Sequence, residues 1–164
     1  QEFNWRPNRG RWSIALCPTH LIISSKLYSD AIMTAVSTAQ PVGKGESDPY
    51  QYSLFSRMMI KSLDPDNRRR YKAPRKFTPP LIHYSVDSVI TKFESSGDRW
   101  EECLKCSNGL NLAKVKVTSP VIPLLRFQLG ATFAMMVMHE RRHLQQAQTV
   151  TTTAGFSDLP LEDS

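Results

Sequence analysis

The chain reads as an all-α domain, on three observations. Apolar residues recur three and four apart, the spacing of one helix face, in long stretches near residues 13–40, 80–107 and 123–149. Proline and glycine collect between those stretches rather than inside them. Alternation of the strand type is confined to Lys114-Val115-Lys116-Val117-Thr118, which is short.

Each element follows from local chemistry. Trp12-Ser13 reads as the entrance of the first helix, with Ser13 able to cap it, and His20, Ile23, Leu27, Ala31 and Thr34 follow at helical spacing. Pro18 predicts either a kink or a true start at that residue, because its ring clashes with the preceding turn of an established helix. Pro41-Val42-Gly43-Lys44-Gly45 ends the helix. A long crossover, residues 41–79, carries one short helix from about Tyr50 to Leu63. Pro79-Pro80 opens a third helical region in which Val86, Val89, Ile90, Phe93, Trp100 and Leu104 form the apolar stripe, until Asn108-Gly109 stops it. Residues 111–123 connect to a last helix from about Pro123 to Thr149, and residues 151–164 form a loose tail.

With 164 residues and 40% apolar composition, one domain that buries its own core accounts for the whole chain. There is no repeat and no stretch of low complexity. The longest apolar run, near Leu124 to Met138, is broken by Arg126, Gln128 and Thr132, so no membrane span is expected. The chain opens on Gln1 without the pattern of a signal peptide, and a truncated or processed N-terminus is the expectation. Cys17, Cys103 and Cys106 are too few and too unevenly placed for a disulfide framework, which points to a reducing, cytoplasmic compartment.

The formal charge is +6, with much of the excess in residues 68–76, Arg-Arg-Arg-Tyr-Lys-Ala-Pro-Arg-Lys. This proline-containing loop does not continue as a recognition helix, which argues against nucleic acid as a partner. A solvated loop or a gate that attracts a small anionic substrate fits it better.

The chemistry concentrates in His139-Glu140-Arg141-Arg142-His143. Two histidines four apart on a helix share a face and can hold one ion. Leu129, Met136, His139, His143, Ala147 and Val150 fall on one stripe, so both imidazoles are expected to face the interior. There they need hydrogen bonds, an acidic partner or a metal. The run matches the H-E-x-x-H pattern of zinc peptidases, but Arg141 and Arg142 stand between the histidines, and the only acids downstream are Asp158, Glu162 and Asp163 in the tail. His83, near a helix start, reads as a surface or packing residue. Cys103 and Cys106 form a C-x-x-C spacing with no second pair, and read as ordinary helix cysteines. Met135, Met136 and Met138 read as core filling.

Several motifs occur together and in order: Asn4-Trp5-Arg6-Pro7, Gly10-Arg11-Trp12-Ser13-Ile14-Ala15, His20-Leu21, Lys72 through Pro79, Val117-Thr118-Ser119-Pro120, Leu129-Gly130, and His139 through Ala147. In this combination the chain resembles the DinB-like metal-binding superfamily, to which bacillithiol- and mycothiol-dependent S-transferases are related. The resemblance implies a four-helix bundle with a long crossover between its second and third helices. It also implies a divalent metal held by one histidine of the second helix and two of the last, here His20, His139 and His143. Three imidazoles leave positions open for water or substrate, and zinc and nickel both suit them.

The implied activity is conjugation of a low-molecular-weight thiol to an electrophile, with a metal-dependent hydrolase or a non-catalytic stress or structural bundle as alternatives. Arg75 and Lys76, with Arg69, Arg70 and Lys72, are candidates for binding an anionic thiol, and Glu140 and Arg142 for catalytic or supporting roles. The family's first helix has no counterpart before Trp5, so the domain is expected to be N-terminally incomplete. A homodimer could cover the apolar surface this leaves.

Overall fold

The computed structural model describes residues 1–41, 50–67, 69 and 71–156. Four α-helices dominate it: α1, Leu16–Ser37; α2, Leu54–Ser62; α3, Val86–Cys106; and α4, Leu129–Thr151. Two three-residue strands, β1 at Lys116–Thr118 and β2 at Arg126–Gln128, and short 3-10 turns at Glu2–Asn4 and Arg75–Phe77 complete it. The all-α expectation holds.

The N-cap of α1 is Ala15, which has no side-chain cap, rather than Ser13; Ser13 lies two residues earlier, and its Oγ accepts from the Leu16 amide at 3.2 Å, bonding the lead-in turn to the first helical residue. Pro18 does not interrupt α1. It is the third helical residue, where the amide it lacks would have had no partner inside the helix, so it is tolerated there. The terminator expected at residues 42–45, the crossover residues Arg68 and Arg70, and the tail residues 157–164 lie outside the described residues.

The interior is built around α1, which packs against both α3 and α4, while α2 lies on α4. Small polar residues make the close approach possible: Ser24, Ser25 and Ser29 of α1 are buried beside Leu21 and Ile32. The Ser24 hydroxyl returns to the His20 carbonyl at 2.9 Å, and Ser29 Oγ donates to Lys26 O while accepting from Arg99 Nε of α3 at 2.7 Å. Ile32, Cys103, Val117 and Leu129, each fully buried, form the junction where α1, α3, β1 and α4 meet. Trp100 and Phe133 pack edge to face beside it, 6.0 Å between centroids.

Ser53 caps α2, and the Gln128 side-chain oxygen accepts from the Ser53 amide at 2.9 Å and the Ser56 hydroxyl at 3.0 Å, tying α2 to the start of α4. Two boundaries differ from expectation. The third helix starts at Val86, not at the paired prolines, because Pro79-Pro80 lie in an extended lead-in. It ends as predicted, with Gly109 adopting a φ of +78° just past the last turn.

The last helix starts at Leu129 rather than Pro123, since Arg126-Phe127-Gln128 pairs antiparallel with Lys116-Val117-Thr118 in the register Val117 to Phe127. Phe127 and Val117 turn inward while Arg126 and Lys116 face out. Three residues of polar-apolar-polar pattern fit either period, and the partner strand decides between them.

On α3 the predicted stripe is only partly interior. Val89 is buried against α1, whereas Val86, Ile90 and Leu104 stand about half exposed. Among the described residues, no helix is long and apolar enough to cross a membrane.

Candidate metal centre

His20 lies in the second turn of α1, and His139 and His143 lie one turn apart on α4. Because α1 and α4 pack together, the helices bring the three imidazoles to one point. Each offers a ring nitrogen, and these nitrogens lie within 4.8 Å of one another. Ring centroids are 4.9 Å apart for His20 and His139, 4.5 Å for His20 and His143, and 4.6 Å for His139 and His143.

The backbone of the crossover sets the tautomer of His20. Its Nδ1 is 2.7 Å from the Phe77 carbonyl oxygen, which can only accept, so Nδ1 carries the proton and Nε2 presents a lone pair. That Nε2 is 3.0 Å from His139 Nε2. Phe77, itself buried, sits in the 3-10 turn Arg75–Phe77 that packs on α1. The Trp12 indole stacks on His143 with 5.4 Å between centroids and 23° between planes, and leans on His20 at 4.8 Å.

All three rings are held neutral. Burial pushes His139 down to about 3, helped by His20 and Arg142, and pushes His143 down to about 2, helped by His139 and His20. Burial also lowers His20, against the hydrogen bond to Phe77. Nδ1 of His139 and Nδ1 of His143 are buried without a hydrogen-bond partner among the described residues. Neutral imidazole is the form that ligates metal, and among the described residues no carboxylate pairs with these rings. The donor set therefore fits a divalent metal ion.

The remaining candidates are placed differently. Glu140 is half-buried, which raises its carboxyl, and it forms no hydrogen bond or ion pair among the described residues. Arg142 turns to the crossover: Nη1 donates to the carbonyls of Ser62 at 3.3 Å and Asp64 at 3.1 Å, Nη2 donates to that of Arg69, and the guanidinium lies 5.8 Å from the centre of the Tyr71 ring.

Arg75 and Lys76 are exposed on the turn that ends at Phe77, and Lys76 Nζ donates to Pro120 O at 3.2 Å. His83 is a surface residue bonded to the Asn4 side chain at 3.3 Å. Cys103 is buried, Cys106 is exposed, and both are free thiols. Met135 and Met136 are core residues. The third histidine comes from upstream, unlike the downstream acid a peptidase reading needed, and Asp158, Glu162 and Asp163 fall outside the described residues.

Two supporting groups escaped the sequence reading. Trp12 registered only as part of a helix entrance, and the Phe77 carbonyl is a backbone group with no signal in any side-chain pattern.

A family model described as the DinB superfamily matches residues 1–147. No curated protein and no solved structure matches the chain. The matched residues contain α1, α2, α3 and α4 as far as residue 147, and with them His20, His139 and His143. With the fold, the histidine group and the family model in agreement over most of its length, the chain belongs to the DinB superfamily.

Proposed function

We propose that this protein holds a divalent metal ion, zinc or nickel, through His20, His139 and His143, and that it transfers a low-molecular-weight thiol to an electrophile. The observation that carries the proposal is the convergence of three neutral imidazoles from two helices within 4.8 Å. A divalent ion in such a donor set supplies Lewis acidity, which lowers the pKa of a thiol or a water.

The chain's own part is to prepare the donors. Burial keeps the rings unprotonated, and the Phe77 carbonyl fixes the proton of His20 on Nδ1, so that Nε2 is the free donor. Three protein ligands leave room for an exogenous one, which is the arrangement of a catalytic site rather than a closed structural site. Arg75 and Lys76, on the turn beside His20, supply a positive field suited to a thiol that bears carboxylate or phosphate.

Metal-dependent hydrolysis is a second reading. It draws on Glu140, whose half-buried carboxyl with a raised pKa directly follows His139 and suits a general base.

The first test is elemental analysis of the purified protein beside His20→Ala and His139→Ala. About one ion per chain in the parent, lost in both variants, is the expected result for a site of this ligand count. Absence of metal in the parent after reconstitution with zinc or nickel refutes the proposal. A loaded protein is then assayed with thiols and a chromogenic electrophile, and separately with activated esters. Turnover of the first kind supports transfer and of the second kind hydrolysis, whereas turnover of neither leaves a non-catalytic metal-binding bundle.

A further inference from the structure

Ligand imidazoles need a second contact that fixes the plane of the ring, and in most metal sites the other ring nitrogen donates to a carbonyl or carboxylate. His20 has this contact in the Phe77 carbonyl at 2.7 Å. His143 has no such carbonyl or carboxylate contact among the described residues: its Nδ1 is buried without a well-formed hydrogen bond, and the polar side chain acting on the ring is that of Gln146, one turn further along α4. The backbone of α4 fixes where the His143 side chain departs but leaves its ring torsion broad. The group that lies nearly parallel to that ring is Trp12, stacked at 5.4 Å and 23°. The same indole touches His20 at 4.8 Å and 54°, so one rigid plane braces a histidine from each helix.

The segment carrying Trp12 is itself anchored on both sides. Arg6 Nε donates to the Arg11 carbonyl at 2.8 Å, the buried Ser13 accepts from the Leu16 amide at 3.2 Å, and the Ala15 amide donates to Phe3 O at 2.8 Å.

We infer that Trp12 is a positioning residue of the metal centre: its indole face sets the ring plane of His143 and braces His20, in place of the carbonyl contact that Phe77 gives His20. The inference rests on the metal reading above. It makes the irregular N-terminal segment part of the centre, and it makes an aromatic face at position 12 the requirement.

The test uses the full chain and two probes, Zn²⁺ titrated in competition with a chromophoric chelator and the visible absorption of bound Co²⁺. Losing a supporting contact of this kind weakens metal binding by roughly 10–100-fold. Trp12→Leu is expected to show that loss together with a changed Co²⁺ spectrum. Trp12→Met, which fills volume with a flexible side chain and no plane, carries the same expectation and serves if the leucine variant does not fold. Trp12→Phe keeps a ring to stack, and is expected to stay within about threefold of the parent with the parent's spectrum. Trp5→Leu is the control, because Trp5 packs on Phe156 rather than on the histidines. It is expected to leave both readouts unchanged even if it lowers the melting temperature.

Parent-like affinity and spectrum in folded Trp12→Leu or Trp12→Met overturns the inference and leaves the metal reading standing. Equal weakening by Trp5→Leu also overturns it, by showing a general effect of the N-terminal segment. A parent that binds neither ion overturns the metal reading itself.

Discussion

At the residue scale, the centre depends on three imidazoles whose protonation is opposed by burial. His139 at about 3 and His143 at about 2 both lie below the ordinary histidine value of 6.5, and His20 is lowered as well. A folded-state pKa below the unfolded one means that the unfolded chain takes up protons first as pH falls. These histidines therefore withhold no stability from the metal-free protein above pH 6.5, and they withdraw it progressively as pH falls from there through about 3 for His139 and toward about 2 for His143. Urea melts of the metal-free chain near about pH 8 and about pH 5 should show that decline, and His139→Leu should flatten it. Equal slopes in parent and variant would mean that the imidazoles are not held neutral by the fold.

At the element scale, Arg142 shows why a residue beside a site need not belong to its chemistry. One position before His143 on α4, it reaches away from the rings and gathers the carbonyls of Ser62, Asp64 and Arg69. It pins the crossover, and the same crossover delivers the Phe77 carbonyl to His20. Hydrogen bonds from a charged donor contribute about 1.5–3 kcal/mol where they are shielded from water, and less at the partly exposed end of this one. Arg142→Met should therefore lower stability by about 1–2 kcal/mol and speed amide exchange in residues 62–67, with metal stoichiometry retained. Loss of metal with unchanged exchange would return Arg142 to the site. A lysine at this position carries one ammonium instead of a planar fork and cannot serve the same three carbonyls together.

At the scale of the whole molecule, α1 is the shared element. Near its start it faces α4 with His20, and near its end it faces α3, β1 and α4 with Ile32. These positions are roughly 18 Å apart along a helix axis at ~1.5 Å per residue. The core junction therefore supports the centre without touching it. Ile32→Ala, at a position with no solvent exposure, should cost about 2–5 kcal/mol and lower the midpoint of one cooperative transition. The folded fraction should still bind about one ion per chain. Loss of binding at temperatures where the variant is folded would show that the centre and the junction are coupled.

What could be read along the chain is what repeats along it. The four helical segments, the Gly109 stop and the pairing of His139 with His143 on one helix face all arise within a few residues, and periodicity or turn chemistry reports them directly. His20 could be joined to that pair only by resemblance, since 119 residues separate it from His139 and no local pattern connects them.

Packing alone selected strand over helix at Arg126-Phe127-Gln128, where the deciding partner is Lys116-Val117-Thr118. It also left Val86 and Ile90 half exposed on a helix whose period marks them as interior, because only one side of that stripe meets α1. The contacts of the Phe77 carbonyl, the Trp12 face and the Arg142 fork arise the same way. Each is a contact between segments distant in sequence, so its partner is chosen by how whole helices seat against one another and not by the neighbours of the residue itself.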